Sequence, residues 1–151
     1  MKAFLDTSVL VPAFYADHQH HAPSLELLLR FDTREACCAA HSFAEVYATL
    51  TGMPSRSRVA GDLALLFLQD VRARLTPVAL DPAEYLETIR QAAAMKLAGG
   101  AIYDAIIGQC ALKAKADVVY TWNTKHFLLL PDPIAHRVQR PDHSPPPAEP
   151  D

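Results

Sequence analysis

The first ten residues, MKAFLDTSVL, constrain the fold more than any other stretch of the chain. A short apolar run from Ala3 to Leu5 stops at Asp6, and a helical pattern begins near Val9. Residues that are apolar on both faces of a strand are typical of a parallel sheet covered by helices. Asp6 is therefore predicted at the carboxyl end of a buried strand, the edge at which open parallel sheets bind ligands. The alternative is that Asp6 or Thr7 serves only as a helix cap.

Further along the chain, segments with helical spacing alternate with short apolar segments typical of strands. The predicted helices cover residues 9–16, 24–31, 42–51, 59–74, 82–97 and 105–112. The predicted strands cover residues 35–40, 76–80 and 117–121, with Val138 in an edge strand. This order predicts a three-layer α/β/α domain with a central, mainly parallel sheet over residues 1–138. Residues 139–151 are rich in proline and lack apolar periodicity, so we expect a disordered tail there.

The composition excludes several classes of protein. Half of the 151 residues are apolar, which is enough for one well-buried core. The net charge of −3 excludes a uniformly basic nucleic-acid binder, so any site for a polyanion must be local. The three cysteines, two of them adjacent at Cys37 and Cys38, cannot form a disulfide framework and indicate a reducing compartment. No apolar run approaches the roughly 20 residues of a membrane span, and we expect a cytoplasmic protein without a signal peptide.

Three more polar residues are predicted at the same sheet edge as Asp6. Glu45 follows Ser42 at the spacing of a capping box, which leaves open whether its carboxylate caps the helix or reaches across to the site. Asp104 follows a diglycine and begins a buried helix, where its alternative role is a favourable interaction with the helix dipole. Asn123 lies in the polar turn after the last clear strand.

The three predicted acids, Asp6, Glu45 and Asp104, would meet without a basic partner in their own segments. Carboxylates a few ångströms apart repel each other strongly and need a cation. Oxygen ligands without histidine or cysteine favour Mg²⁺ or Mn²⁺, which bind through a few carboxylates together with a substrate phosphate. The pattern therefore indicates phosphodiester chemistry.

The histidines and arginines of the chain are expected to have structural or solvent-exposed positions. His18, His20 and His21 fall in a break between helices with no acid or cysteine at ligand spacing, so we expect them to face solvent. Four arginines are the nearest approach to a basic patch, and a solvated face is expected for them, with direct nucleic-acid contact as the alternative. These arginines are Arg56, Arg58, Arg72 and Arg74.

Four segments of the chain resemble the motifs of the PIN-domain family. They are MKAFLDTSVL with Asp6, SFAEVYATLT with Glu45, AIYDAIIGQCA with Asp104 and VVYTWNTKHF with Asn123. Each motif alone is weak, whereas the four together are specific. They occur in the expected order and spacing, over nearly the whole chain to about Val138, and are most similar to the VapC-like toxins of type II toxin-antitoxin pairs.

The resemblance implies a metal-dependent endoribonuclease, often dimeric, that a small antitoxin inhibits. Asp6, Glu45 and Asp104 would hold Mg²⁺, which Mn²⁺ can replace, and Asn123 would take the fourth catalytic position. Many members of the family have aspartate at that position, so the number of metal ions bound without RNA stays open. Candidate hydrogen-bond partners of these side chains share a hydroxyl group and are Thr7, Ser42 and Thr121.

The expected reaction is hydrolysis, in which a metal-bound water attacks in line with the scissile phosphate and no acid forms a covalent intermediate. A phosphatase of the haloacid dehalogenase type also begins with an acid at a strand end. It needs a second acid two residues later, where this chain has Ser8. The third alternative is a noncatalytic interaction module in which the acids only cap helices.

The expected partners are an RNA substrate, a cognate antitoxin protein and a second copy of the chain in a homodimer. The helix over residues 59–74 carries more apolar surface at residues 65–68 than one helix stripe can bury, so we expect a partner peptide near residues 42–74. The alternatives are a helix buried on most of its sides, or use of the same surface in a homodimer.

Overall fold

Five strands form one sheet in the computed structural model, which describes residues 1–143. The strands are β1 (Ala3–Leu5), β2 (Ala36–Ala39), β3 (Thr76–Val78), β4 (Val118–Tyr120) and β5 (Val138–Gln139). Their order across the sheet is β3-β2-β1-β4-β5, and every neighbouring pair is parallel. Because β1 is the central strand, Asp6, the residue that follows it, lies in the middle of the carboxyl edge.

Helices occupy the connections between the strands. Those of the described residues are α1 (Thr7–Phe14), α2 (His21–Arg30), α3 (Ala40–Thr51), α4 (Gly61–Arg74), α5 (Pro82–Ala94), α6 (Ala101–Lys113) and α7 (Thr124–Leu128). A 3₁₀ turn at Ala135–Arg137 leads into β5. Within residues 1–143, no helix combines the length and the apolar character needed to cross a membrane.

The hydrophobic core lies on both sides of the sheet. Phe4 packs with Ile107 of α6 and Phe127 of α7, whereas its neighbour Leu5 packs with the buried side chains of α1 to α4, such as Val46. Successive side chains of a strand point to opposite faces, so β1 contributes to both layers. The structure confirms the predicted three-layer α/β/α fold with a parallel sheet.

The bounds of all six predicted helices differ from the prediction, and two of the differences have a clear local cause. α1 begins at Thr7 because Asp6 is its N-cap, with the carboxylate accepting a hydrogen bond from the backbone nitrogen of Ser8. α5 ends at Ala94, and Lys96 just beyond it adopts a left-handed backbone conformation with φ of 59°. The first difference matters for function, since it makes Asp6 part of the helix start.

The chain stays in contact with the sheet after β5. The backbone nitrogen of Thr121 donates to the carbonyl oxygen of Gln139 at 3.1 Å, Arg140 lies over the ring of Trp122, and Pro141 is buried. The greater part of the predicted proline-rich tail, residues 144–151, lies outside the described residues.

Candidate active site

Asp6 is the most deeply buried acid at the carboxyl edge, with 2% of its surface exposed. Its Oδ2 accepts hydrogen bonds from Ser8 Oγ at 2.8 Å and from Thr121 Oγ1 at 2.9 Å, besides the capping bond from the Ser8 backbone. Within the described residues, all of the side-chain hydrogen bonds to Asp6 go to Oδ2. The carboxylate is therefore oriented by its neighbours, and Oδ1 is left to the cleft that Asp6 lines.

The same hydroxyl groups join the ends of β1 and β4. Ser8 Oγ accepts a hydrogen bond from the backbone nitrogen of Trp122 at 2.9 Å, and Thr121 Oγ1 accepts one from the backbone nitrogen of Asn123 at 3.0 Å. The predicted partner Thr121 thus contacts Asp6 directly, whereas the role of Ser8 was not predicted. The two hydroxyls hold the turn that carries Asn123 against the acid at the centre of the sheet.

Of the two alternatives for Glu45, the capping box with Ser42 is not formed. α3 begins at Ala40 with Ala39 as its N-cap and has no side-chain cap, so Ser42 already lies inside the helix. The Thr7 hydroxyl lies 2.8 Å from Ser42 Oγ and 3.1 Å from Glu45 Oε1. Glu45 therefore reaches across from α3 to the start of α1, which is the alternative that places it in the site.

Asp104 lies in the first turn of α6, and its side chain is 24% exposed. Its Oδ2 is 3.3 Å from Nδ1 of His126, an exposed residue of α7. Burial raises the pKa of Asp104 above its ordinary value, and the nearby His126 imidazole opposes this rise. Asp104 is thus held between a helix start and a histidine that the sequence did not single out.

The carboxylates bring negative charge together in the site, where the His126 imidazole lies 3.3 Å from Asp104 and the His41 imidazole lies 3.8 Å from Glu45. Burial raises the pKa of Asp6 from 3.8 to about 6, against the hydrogen bonds of Ser8 and Thr121, and the charge of Asp104 adds to the rise. A buried carboxylate near a second acid is ionised at neutral pH only at a cost, and a cation removes that cost. The electrostatics are therefore compatible with a bound cation.

The four predicted residues line one cleft of about 440 Å³. They are Asp6 from the end of β1, Glu45 from α3, Asp104 from α6 and Asn123 from the turn after β4. Asn123 is the N-cap residue of α7, but its side chain makes no capping hydrogen bond, and the residue is exposed. Four side chains from distant parts of the chain are thus brought to one place.

These residues fit Mg²⁺ or Mn²⁺ by chemistry, because they offer three carboxylates and one amide oxygen. As the side chains stand, no three histidine, cysteine, aspartate or glutamate groups within residues 1–143 are close enough together to ligate one ion. Mg²⁺ usually keeps several waters and takes only one or two carboxylates directly. The donor set is therefore compatible with an ion held partly through water.

The rim of the cleft contains aromatic residues that sequence reasoning missed. The imidazole of His20 is stacked on the indole of Trp122 with ring centroids 3.7 Å apart, so the expectation that His20 faces solvent is wrong. His21 Nδ1 lies 2.8 Å from the carbonyl oxygen of Pro12. The sequence offered one sign of this stacking, namely the aromatic residue Trp122 within the polar turn TWNTKHF. Nothing near Trp122 in the sequence indicates which histidine stacks on it.

The PIN domain model matches residues 3–128 of this parallel α/β domain. The chain belongs to the PIN-domain family. It is 32% identical over 114 residues to Ribonuclease VapC40 of Mycobacterium tuberculosis, a match that covers 76% of this chain and 81% of that protein. Within the family, the chain is thus of the VapC ribonuclease toxin type.

Solved structures share the fold at low sequence identity. One is Mycobacterium tuberculosis VapC20, described as a sarcin-ricin loop cleaving toxin, with a TM-score of 0.67 and 12% identity over 83% of this chain and 92% of that one. Another is VapBC2 from Rickettsia felis bound to a DNA fragment from their promoter, with a TM-score of 0.63 and 20% identity over 93% of this chain and 98% of that one. These likenesses place the fold among toxin and toxin-antitoxin structures.

Proposed function

We propose that this protein is a Mg²⁺- or Mn²⁺-dependent endoribonuclease that acts as the toxin of a toxin-antitoxin pair. The observation that carries the proposal is the cleft in which Asp6, Glu45, Asp104 and Asn123 converge from four separate elements. The relationship to Ribonuclease VapC40 supports RNA as the substrate. Three unpaired buried cysteines agree with action in the cytoplasm.

Asp6, Glu45 and Asp104 would hold the divalent ion, with the Asn123 amide as a neutral oxygen donor. When bound, the ion supplies a water of lowered pKa and positive charge at the scissile phosphate. Ser8 and Thr121 keep the Asp6 carboxylate in one orientation through their hydrogen bonds to Oδ2. None of the acids needs to form a covalent intermediate.

One hydroxyl group and one imidazole group position the other two acids. Thr7, at 3.1 Å from Glu45 Oε1, holds the end of a long side chain that would otherwise be free to rotate. His126, at 3.3 Å from Asp104 Oδ2, does the same for Asp104 from the outside of the cleft. These contacts orient the individual donors, and an ion would join them partly through water.

The antitoxin partner is proposed to bind the exposed side of α4. Leu63, Leu65 and Leu66 are 47%, 53% and 58% exposed, and Tyr47 of the adjoining α3 is 45% exposed. Of the residues predicted for this surface, Phe67 is instead buried in the core. An apolar patch of this kind is typical of a protein interface. The solved VapBC2 structure, a toxin-antitoxin relative, supports a protein partner.

The experiment that tests the proposed function is induced expression without a partner. The wild-type protein should arrest growth, and Asp104→Asn should relieve the arrest while the protein accumulates in folded form. Asp117→Asn, at an acid outside the cleft that accepts a hydrogen bond from the Lys2 backbone, is the matched control and should remain toxic. Equal growth arrest by wild type and folded Asp104→Asn would exclude a catalytic role for the cleft.

A further inference from the structure

Four planar side chains form a column along one wall of the cleft, which we name the stacking column. The guanidinium carbon of Arg140 lies 5.0 Å from the ring centroid of Trp122. Trp122 and His20 are stacked at 3.7 Å with an interplanar angle of 7°, and His20 and His18 follow at 5.5 Å with an angle of 39°. Residues from three separate loops thus assemble one continuous set of flat groups.

The members of the stacking column are held in place by hydrogen bonds. Trp122 Nε1 donates to Ser24 Oγ at 2.8 Å, and the backbone nitrogen of Trp122 donates to Ser8 Oγ. Two nitrogens of the Arg140 guanidinium donate hydrogen bonds to the two carboxylate oxygens of Asp142, each at 3.3 Å. The column is therefore built to keep its geometry.

The stacking column borders two clefts that meet at Asn123. His18, His20 and Trp122 line the cleft that contains Asp6 and Asp104. A smaller cleft of about 230 Å³ lies on the other side, lined by Trp122, Asn123, Thr124, Lys125, His126 and Arg140. We name it the basic cleft. An extended polymer bound across Asn123 would therefore lie in both clefts.

The charges of the two clefts are opposite in sign. The first contains three carboxylates, which repel a phosphate until a cation is bound. The basic cleft presents Lys125 and Arg140, no carboxylate of the described chain lines it, and Lys125 makes no ion pair within residues 1–143. Arg140 is paired with Asp142, so Lys125 is the cation that would attract an RNA backbone in a protein of net charge −3.

We propose that the basic cleft binds the nucleotide next to the scissile phosphate. Its base stacks on the outer face of Arg140, the end of the stacking column that borders the basic cleft, and its phosphate lies beside Lys125. Aromatic rings and arginine planes are the groups on which unpaired RNA bases stack in proteins. The inference rests on the proposed ribonuclease function and adds to it a positioning site for a nucleotide that is not cleaved.

The test uses the intrinsic fluorescence of Trp122, the single tryptophan of the chain. A uridine octanucleotide is titrated into the protein in EDTA, where no cleavage is expected. Saturable quenching of Trp122 is expected, and Arg140→Ala should weaken the apparent affinity about tenfold, as the loss of one stacking partner does elsewhere. Arg72→Ala on α4 removes the same charge far from the cleft and should bind as the wild type does.

Two further measurements separate stacking from charge. An abasic octamer with the same phosphates should bind more weakly and leave Trp122 fluorescence unchanged. Arg140→Lys keeps the charge beside Asp142 but lacks the plane, so it should also bind the uridine octamer more weakly than wild type. This variant serves as the test if circular dichroism finds Arg140→Ala unfolded.

The outcomes distinguish this inference from the proposed function. RNA cleavage in Mg²⁺ is measured on the same preparations. Cleavage together with octamer binding that leaves Trp122 fluorescence unchanged, or that is the same in wild type and the two Arg140 variants, overturns the nucleotide site alone. Quenching that is lost in those variants, without any cleavage, overturns the ribonuclease proposal alone. Absence of both binding and cleavage overturns both, and the column would then belong to a protein interface.

Discussion

Asp6 is the N-cap of α1 and, in the proposed function, a metal ligand, and these two roles make opposite demands on its carboxyl group. As the N-cap of α1 it needs only an oxygen acceptor, which a neutral group provides equally well. As a metal ligand it needs a negative charge, which its burial opposes. The conflict has a measurable consequence for stability.

Protein stability should decrease between about pH 4 and about pH 6 because of Asp6. In this range the unfolded carboxyl, with a pKa near 3.8, is ionised, whereas the folded one, with a pKa of about 6, keeps its proton. The folded state then binds more protons, so the free energy of unfolding falls with rising pH, by up to about 3 kcal/mol. Asp6→Asn should abolish this fall in metal-free denaturant unfolding, and Asp70→Asn on the surface of α4 should retain it. Identical pH profiles for wild type and Asp6→Asn would contradict the assignment.

Asn123 limits the number of ions that the RNA-free protein binds tightly. Asp6, Glu45 and Asp104 supply three negative charges, which offset one divalent ion, whereas two ions bring four positive charges. One Mn²⁺ should therefore bind in a calorimetric titration, and Asn123→Asp should tighten a second by at least about tenfold. For the same reason, Asn123→Ala should reduce RNA cleavage less than Asp6→Ala or Asp104→Ala does. Two equally tight sites in the wild type would refute the charge balance.

At the scale of single elements, the sequence predicted the features that depend on a local pattern. It did not predict the features that depend on contacts between side chains distant in the sequence. Ala3–Leu5 was identified as a buried strand because its pattern is complete within the segment. The capping box at Ser42 failed because Ser42 is buried against Thr7 of α1, a contact that no local pattern reveals. The stacking of His20 on Trp122 likewise joins residues that are about a hundred positions apart. Convergence was predictable for Asp6 and Asn123, since they follow β1 and β4 and parallel topology brings the strand ends together. Glu45 and Asp104 reach the same cleft on the helices α3 and α6.

The exposed leucines of α4 lead to a prediction for the proposed antitoxin. Leu66→Asp should abolish co-purification with the protein of an adjacent short open reading frame, because a charge would be buried in an apolar interface. Gln69→Asp, at an exposed polar position of the same helix, is the control and should leave binding unchanged. Leu66→Asp should still cleave RNA, which separates partner binding from catalysis. Co-purification of Leu66→Asp at the wild-type level would exclude this surface, and a loss of self-association instead would assign it to the homodimer.

At the scale of the whole molecule, the parallel sheet explains how a chain with net charge −3 could perform the proposed action on RNA. β1, in the centre, and its neighbours direct three acids into one cleft, and the chain after β5 brings Arg140 to the rim beside Trp122. The acids then repel RNA only while no cation is bound in the cleft. The proposed metal dependence thus rests on acids that several elements of the fold bring together.

The most direct measurement is cleavage of a labelled RNA by the purified protein in Mg²⁺ and in EDTA. The wild type should cleave in Mg²⁺ and be inactive in EDTA, and added Mn²⁺ should restore activity. Asp104→Asn, folded and measured in Mg²⁺, should cleave at least about 100-fold more slowly, as the loss of a ligand or its support does in other metal sites. Cleavage of equal rate in EDTA, or by folded Asp104→Asn, would contradict a metal-dependent ribonuclease centred on this cleft.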